Sequence, residues 1–165
     1  MTITNAYLTR MPVGFPGVVS RPEQSTIEPG IMDQDTPVTA FGVFIKTVSG
    51  KVQPIASGDL ATVVKGLLVK PFPFQEPSVN EALGAGTPDK TRPCDIMKRG
   101  YLTVLFKGTT AAKDGQVYVR VTADGSKAVG DIEEAADSAK CVAVSNCFFM
   151  GAADANGYVE IAYNL

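Results

Sequence analysis

Residues 116–122 read QVYVRVT, in which Val117, Val119 and Val121 alternate with Gln116, Tyr118, Arg120 and Thr122. Strict alternation of apolar and polar side chains is the period of a half-buried strand, and β-branched residues suit that pleated surface. Upstream, YLTVLF (101–106) sets Leu102, Val104 and Phe106 against Tyr101, Thr103 and Leu105. Both of its faces are largely apolar, which predicts a central strand. Downstream, CVAVSNCFF (141–149) and GYVEIAY (157–163) predict two more. Ala123-Asp124-Gly125-Ser126 is a turn signal, and Asp154-Ala155-Asn156-Gly157 reads as a hairpin tip, because Asn and Gly tolerate positive φ.

The same reasoning extends toward the N-terminus. FGVFIKTV (41–48) and KVQPIA (51–56) flank Ser49-Gly50, a two-residue hairpin turn, with Pro54 assigning the second strand to an edge or a bulge. TVVKGLLV (62–69) is a further strand candidate with Gly66 as a bulge marker. A long loop follows at about 71–93, rich in proline, and Phe72 and Phe74 predict that it packs. Only IEEAADSA (132–139) resembles a helix, and it is too short and acidic for more than a turn or two. Residues 1–40 contain Pro12, Pro16, Pro22, Pro29 and Pro37, which disfavour a regular helix. The apolar residues among them, Phe15, Val18, Ile27 and Ile31, predict an extended arm that packs on its own barrel or on a neighbouring subunit. The expected fold is mainly β: a small β-barrel or jelly-roll-like sandwich over 41–165, preceded by this Pro/Gly-rich arm.

Composition excludes more chemistry than it suggests. The 165 residues include no histidine, which removes Ser-His-Asp and Cys-His catalysis and every His-containing metal site. The three cysteines, Cys94, Cys141 and Cys147, form no C-x-x-C pair and read as small buried hydrophobes made in a reducing cytoplasm. GTTAAKDG (108–115) lacks the lysine that a phosphate-binding loop places after its second glycine. Asp131, Glu133, Glu134 and Asp137 lack EF-hand spacing and read as a solvated connector, and Glu160 as a solvent-facing strand residue. The net charge of −2 supplies no field for a nucleic-acid backbone, and no apolar run reaches the roughly 20 residues of a membrane span. No catalytic, cofactor or metal site is expected, and no N-terminal stretch reads as a signal peptide.

Four stretches resemble a known family. FPGVVSRPEQSTIEPGIMDQDTPVTAFGVFI (15–45) is similar to an opening Pro-Gly, an Arg and an arm leading into an F-G-x-x strand. GLLVKPFPFQEP (66–77) is similar to a middle strand running into a proline-rich loop. DIMKRGYLTVLFKGTTAAKDGQVYVRVT (95–122) resembles paired strands around a G-Y-x-T-V core, and FFMGAADANGYVEIAYNL (148–165) a closing hairpin. Together they resemble the structural cement, or capsid decoration, proteins of tailed bacteriophages, of the Gp24-like kind. The resemblance implies a protein without enzyme activity or cofactor. It also implies attachment to the major capsid protein on the outside of the virion's head, as a homodimer or homotrimer. The candidate contacts are Phe15, Val18, Arg21, Ile27 and Ile31 of the arm and Phe72 and Phe74 of the loop, the equal alternative being that these groups only cap the barrel's own core. Two rival classes are a small trimeric β enzyme of dUTPase type and a host- or glycan-binding surface module. The first lacks its D-S-G-Y-type motif, echoed only by Asn156-Gly157-Tyr158, and the second lacks a tryptophan platform.

Overall fold

The computed structural model describes residues 14–71 and 86–165. Nine strands occur among them: β1 (Thr26–Met32), β2 (Phe44–Val48), β3 (Lys51–Pro54), β4 (Gly66–Val69), β5 (Pro93–Leu105), β6 (Gln116–Arg120), β7 (Ile132–Glu133), β8 (Cys141–Phe149) and β9 (Tyr158–Tyr163). They are ordered β1-β3-β2-β4-β5-β9-β8-β6-β7, and β1 also pairs with β5. That extra pairing closes the first five strands into a ring. The other end nearly closes too: Phe106, just past β5, bridges Ile132 of β7 in parallel. The fold is therefore two small barrels sharing one long strand.

Alternation explains how one sheet fills two interiors. Met32, Ile45, Val52, Leu68 and Ile96, one from each strand of the first ring, are buried together in its centre. Their sequence neighbours Phe44, Leu67 and Met97 point the other way and join the larger core of the second barrel. There Leu102 and Val104 of β5 meet Val119 of β6, Ile132 of β7, Phe149 of β8 and Ile161 of β9. Phe44 packs edge-on against Tyr163, with ring centroids 6.1 Å apart, where the two cores join.

β5 changes rings at Gly100. Arg99 is opposite Thr26 of β1, and Gly100 is already opposite Tyr163 of β9. The backbone there has φ +132, and a Cβ would lie 2.7 Å from the Cβ of Ser25 and 2.9 Å from its Cα. Only glycine permits both the conformation and the approach.

Several boundaries differ from the sequence reading. Thr26–Met32, within the proline-rich arm, is a stave of the first barrel. Its pairing to β3 begins only at Ile31, so Pro29 lies where one edge of the strand is open and a missing N–H is tolerated. The stretch 62–69 divides into a 3₁₀ turn, Ala61–Val63, and the short β4. Residues 132–139 form no α-helix: Ile132 enters the core and Glu133 pairs on β6, so tertiary burial overrides the local preference. The Ser49-Gly50 turn is as expected, with both residues at positive φ.

Candidate interaction surface

The outward face of β1 is apolar. Met32 points into the first barrel, so Ile27, Pro29 and Ile31 share the opposite side. Ile27 is 43% exposed and Ile31 68%. Ile31 sits between Pro93 of β5 and Lys51 of β3, and half-exposed Val48 is opposite Lys51 on β2. The ridge thus runs from the junction of the barrels, where Ile27 is opposite buried Met97, out along the first barrel. On the other side of β1, Glu28 lies 3.7 Å from Lys98 of β5.

Phe15, Val18 and Arg21 occupy a different place. The segment leading to β1 lies along the free edge of β5 in the second barrel. Gly17 N–H donates to the Thr103 carbonyl (2.8 Å), Thr103 N–H to Val18 (3.0 Å) and Ser20 N–H to Tyr101 (3.1 Å). Phe15 meets the Tyr158 ring edge-on at 6.2 Å. The Arg21 guanidinium lies 3.9 Å from the Tyr101 ring centroid and 2.9 Å from Glu160 Oε2. Ser20 Oγ donates to the other Glu160 oxygen. Glu160 is thus not a free solvent-facing residue; its side chain is 14% exposed and clamps the segment. Of the contact residues expected from sequence, Phe15, Val18 and Arg21 meet the chain's own barrel, whereas Ile27 and Ile31 are presented outward. Phe72 and Phe74 lie outside the described residues. Pro29, Pro93 and Val48 join the ridge without having been singled out. Pro29 follows from the alternation of β1, but Pro93 and Val48 depend on register between distant strands.

The acidic connector is structural. Arg120, on the polar face of β6, is fully buried beneath residues 121–140. Its Nε donates to Glu133 Oε1 (2.5 Å), its Nη2 to Asp137 Oδ2 (2.9 Å) and its Nη1 to the Thr122 carbonyl (3.3 Å). Lys127 Nζ reaches Glu133 Oε2 at 2.5 Å. Burial disfavours the Glu133 carboxylate, but the hydrogen bonds from Arg120 and Lys127 outweigh it and hold its pKa below the ordinary range. Glu134 accepts from Thr109 N–H (2.9 Å), and Asp131 from Ala128 N–H (2.7 Å). The four carboxylates read as a solvated connector are committed to protein partners, and no metal-holding group of His, Cys, Asp and Glu occurs among the described residues. Cys94, Cys141 and Cys147 are free thiols, and burial pushes the Cys147 thiol far above its usual pKa. Among the described residues, no helix is long and apolar enough to cross a membrane.

Comparison with known proteins places this closed β body among the bacteriophage capsid-associated proteins. The family model of the XM1 gp53 minor capsid protein matches residues 4–163, and this chain belongs to that family. It is thus a structural protein of the phage virion, associated with the capsid shell. A chain from the solved capsid of Myoviridae phage XM1 has the same fold, with a TM-score of 0.65 at 16% identity. The match covers 99% of this chain and 98% of that one. No curated protein matches.

Proposed function

We propose that the protein is a cement protein of the phage head, akin in role to the Gp24-like decoration proteins. It binds the major capsid protein on the outside of the shell, as a homodimer or homotrimer, and stabilises the lattice without catalysing a reaction. The observation that carries this reading is the ridge of Ile27, Pro29 and Ile31, an apolar surface on a barrel whose interior is already filled. Completing the burial of the two isoleucines contributes roughly 2–3 kcal/mol per copy, at 1.5–3 kcal/mol for a whole side chain. That is modest alone, but repetition over a closed shell multiplies it.

Ile27 and Ile31 make the shell contact in this reading. Phe15, Val18 and Arg21 act through the segment they fasten, which leads directly into β1. Phe72 and Phe74 are proposed as further contacts on sequence grounds, as aromatics between prolines.

The test is to prepare heads with the protein, without it, and with the Ile31→Asp variant, and to record their melting temperature and pressure resistance. Heads carrying the wild-type protein should be the most resistant, and the variant should resemble the bare heads. Equal stability of heads with and without the protein overturns the proposal.

A further inference from the structure

The second barrel closes through its shortest stave. β7 pairs with β6 at only two positions, Tyr118↔Glu133 and Val119↔Ile132. On its other side it has the single Phe106–Ile132 bridge and a hydrogen bond from Lys107 N–H to the Ile132 carbonyl at 2.9 Å. Beyond these, among the described residues, only two backbone hydrogen bonds tie the segment to β6, from Arg120 N–H to the Asp131 carbonyl (2.9 Å) and from Gly130 N–H to the Arg120 carbonyl (2.8 Å), so the seam leans on side chains. Ile132 supplies burial. Glu133, one residue on, supplies charge: it holds Arg120 and Lys127 on its two oxygens at 2.5 Å each. Asp137 holds the far end of the same guanidinium at 2.9 Å, and Glu134 crosses the seam to the Thr109 N–H.

We propose that β7 is an acid-operated seam, in which protonation of Glu133, the carboxylate that fastens it, releases residues 131–137 from β6 while the other strands stay paired. The groups facing Glu133 are Arg120 and Tyr118 from β6, Lys127 and Asp137 from the connecting segment, and the Cys141 thiol from β8 at 3.6 Å. Two of them are cations that remain protonated throughout the acid range. The folded-state pKa of Glu133 lies below its usual value, so its contribution is complete above the ordinary carboxylate range. It is lost as pH falls through the lowered folded value. A neutral Glu133 then leaves a buried guanidinium with Asp137 as its remaining anionic partner. The first barrel is the internal control. β1 and β5 are joined there by six residue pairs, and the interior is apolar.

Amide hydrogen exchange on the full chain, followed by mass spectrometry from pH 7 to pH 3, tests this. Protection is expressed relative to the intrinsic exchange rate at each pH. Each proton taken up on opening lowers protection about tenfold per pH unit between the ordinary carboxylate pKa of the open state and the lowered pKa of the folded state, and no further below it. Amides of 118–121 and 131–134 should show that fall in acid, and those of β1 and the first half of β5 should change far less. The Glu133→Gln variant should start less protected at the seam and lose the acid fall, and a retained fall removes Glu133 from the device. Should that variant fail to fold, the wild-type profile alone decides: loss that is uniform across both barrels, or absent at the seam, overturns the proposal.

Discussion

Replacing Arg120 by methionine isolates the energetic role of the buried charge cluster. Removing one partner of a buried ion pair costs about 3–5 kcal/mol, because the other charge stays behind unpaired. Here two features reduce the loss. Lys127, 41% exposed, still reaches Glu133, and Asp137, 40% exposed, can turn to water. We therefore expect about 3 kcal/mol, toward the low end. For a chain of this size that is a fall in Tm of roughly 6–12 °C, at 2–4 °C per kcal/mol. Arg120→Met combined with Glu133→Leu should recover most of it, to within about 1 kcal/mol of wild type, since apolar replacement of a whole buried pair is often neutral. Urea denaturation at pH 7 measures both variants, with an unchanged m-value as the check that the folded states remain comparable. The pH dependence has a defined sign. Wild-type stability falls as pH drops through the lowered Glu133 pKa, whereas the variant has lost Arg120, the larger of the two hydrogen-bonding causes of that lowering. The gap between them should narrow in acid. A loss below about 1 kcal/mol for the single variant, or a double variant no better than the single, would refute the reasoning.

The remaining predictions concern the ridge, the arm, the strand crossing and the thiols. Ile31→Asp should leave the isolated protein within about 0.5 kcal/mol of wild type, because the residue is exposed, yet weaken binding to heads in a pelleting assay. Arg21→Ala should cost about 1 kcal/mol, from one ring stack and one partly exposed ion pair, and speed proteolysis within residues 14–21. Gly100→Ala should cost about 2–5 kcal/mol in Tm measurements, combining backbone strain with collision against Ser25. In native protein, an alkylating reagent should modify half-buried Cys94 well before buried Cys141 and Cys147.

Local alternation made the C-terminal strands legible: β8 spans the residues read as a strand, and β9 differs from the reading by one residue. The same signal failed where strand identity depends on distant partners. β7 is two residues long, too short for any period to appear. β1 contains Pro29 and Gly30, which argue locally against a strand, and it is held by β5 and β3 from far along the chain. The candidate surface follows this division. Ile27 and Ile31 stand out in sequence because apolar residues in a proline-rich segment need cover. The fastening of Phe15, Val18 and Arg21 was not legible, since Tyr101, Thr103, Tyr158 and Glu160 come beside them only after both rings form. Arg120 was read correctly as facing away from the valines. Its burial depends on the return of 121–140 over that face, which no alternation encodes.

The sharing of β5 has a consequence for how the chain acquires its shape. β1, from the first fifth of the sequence, and β9, from the last tenth, both dock on β5. A nascent chain synthesised as far as residue 92 holds four staves of the first ring and lacks the one that closes it. The second ring must wait further, for β9. Neither ring can be completed by local hairpins, so loop-closure entropy is met early and rewarded late. Folding should therefore be slow and nearly all-or-none, with β1 and its apolar ridge unpaired on the side of β5 until that strand is made. That interval leaves the β5-facing edge of β1 and the unclosed apolar interior of the first ring open to premature association.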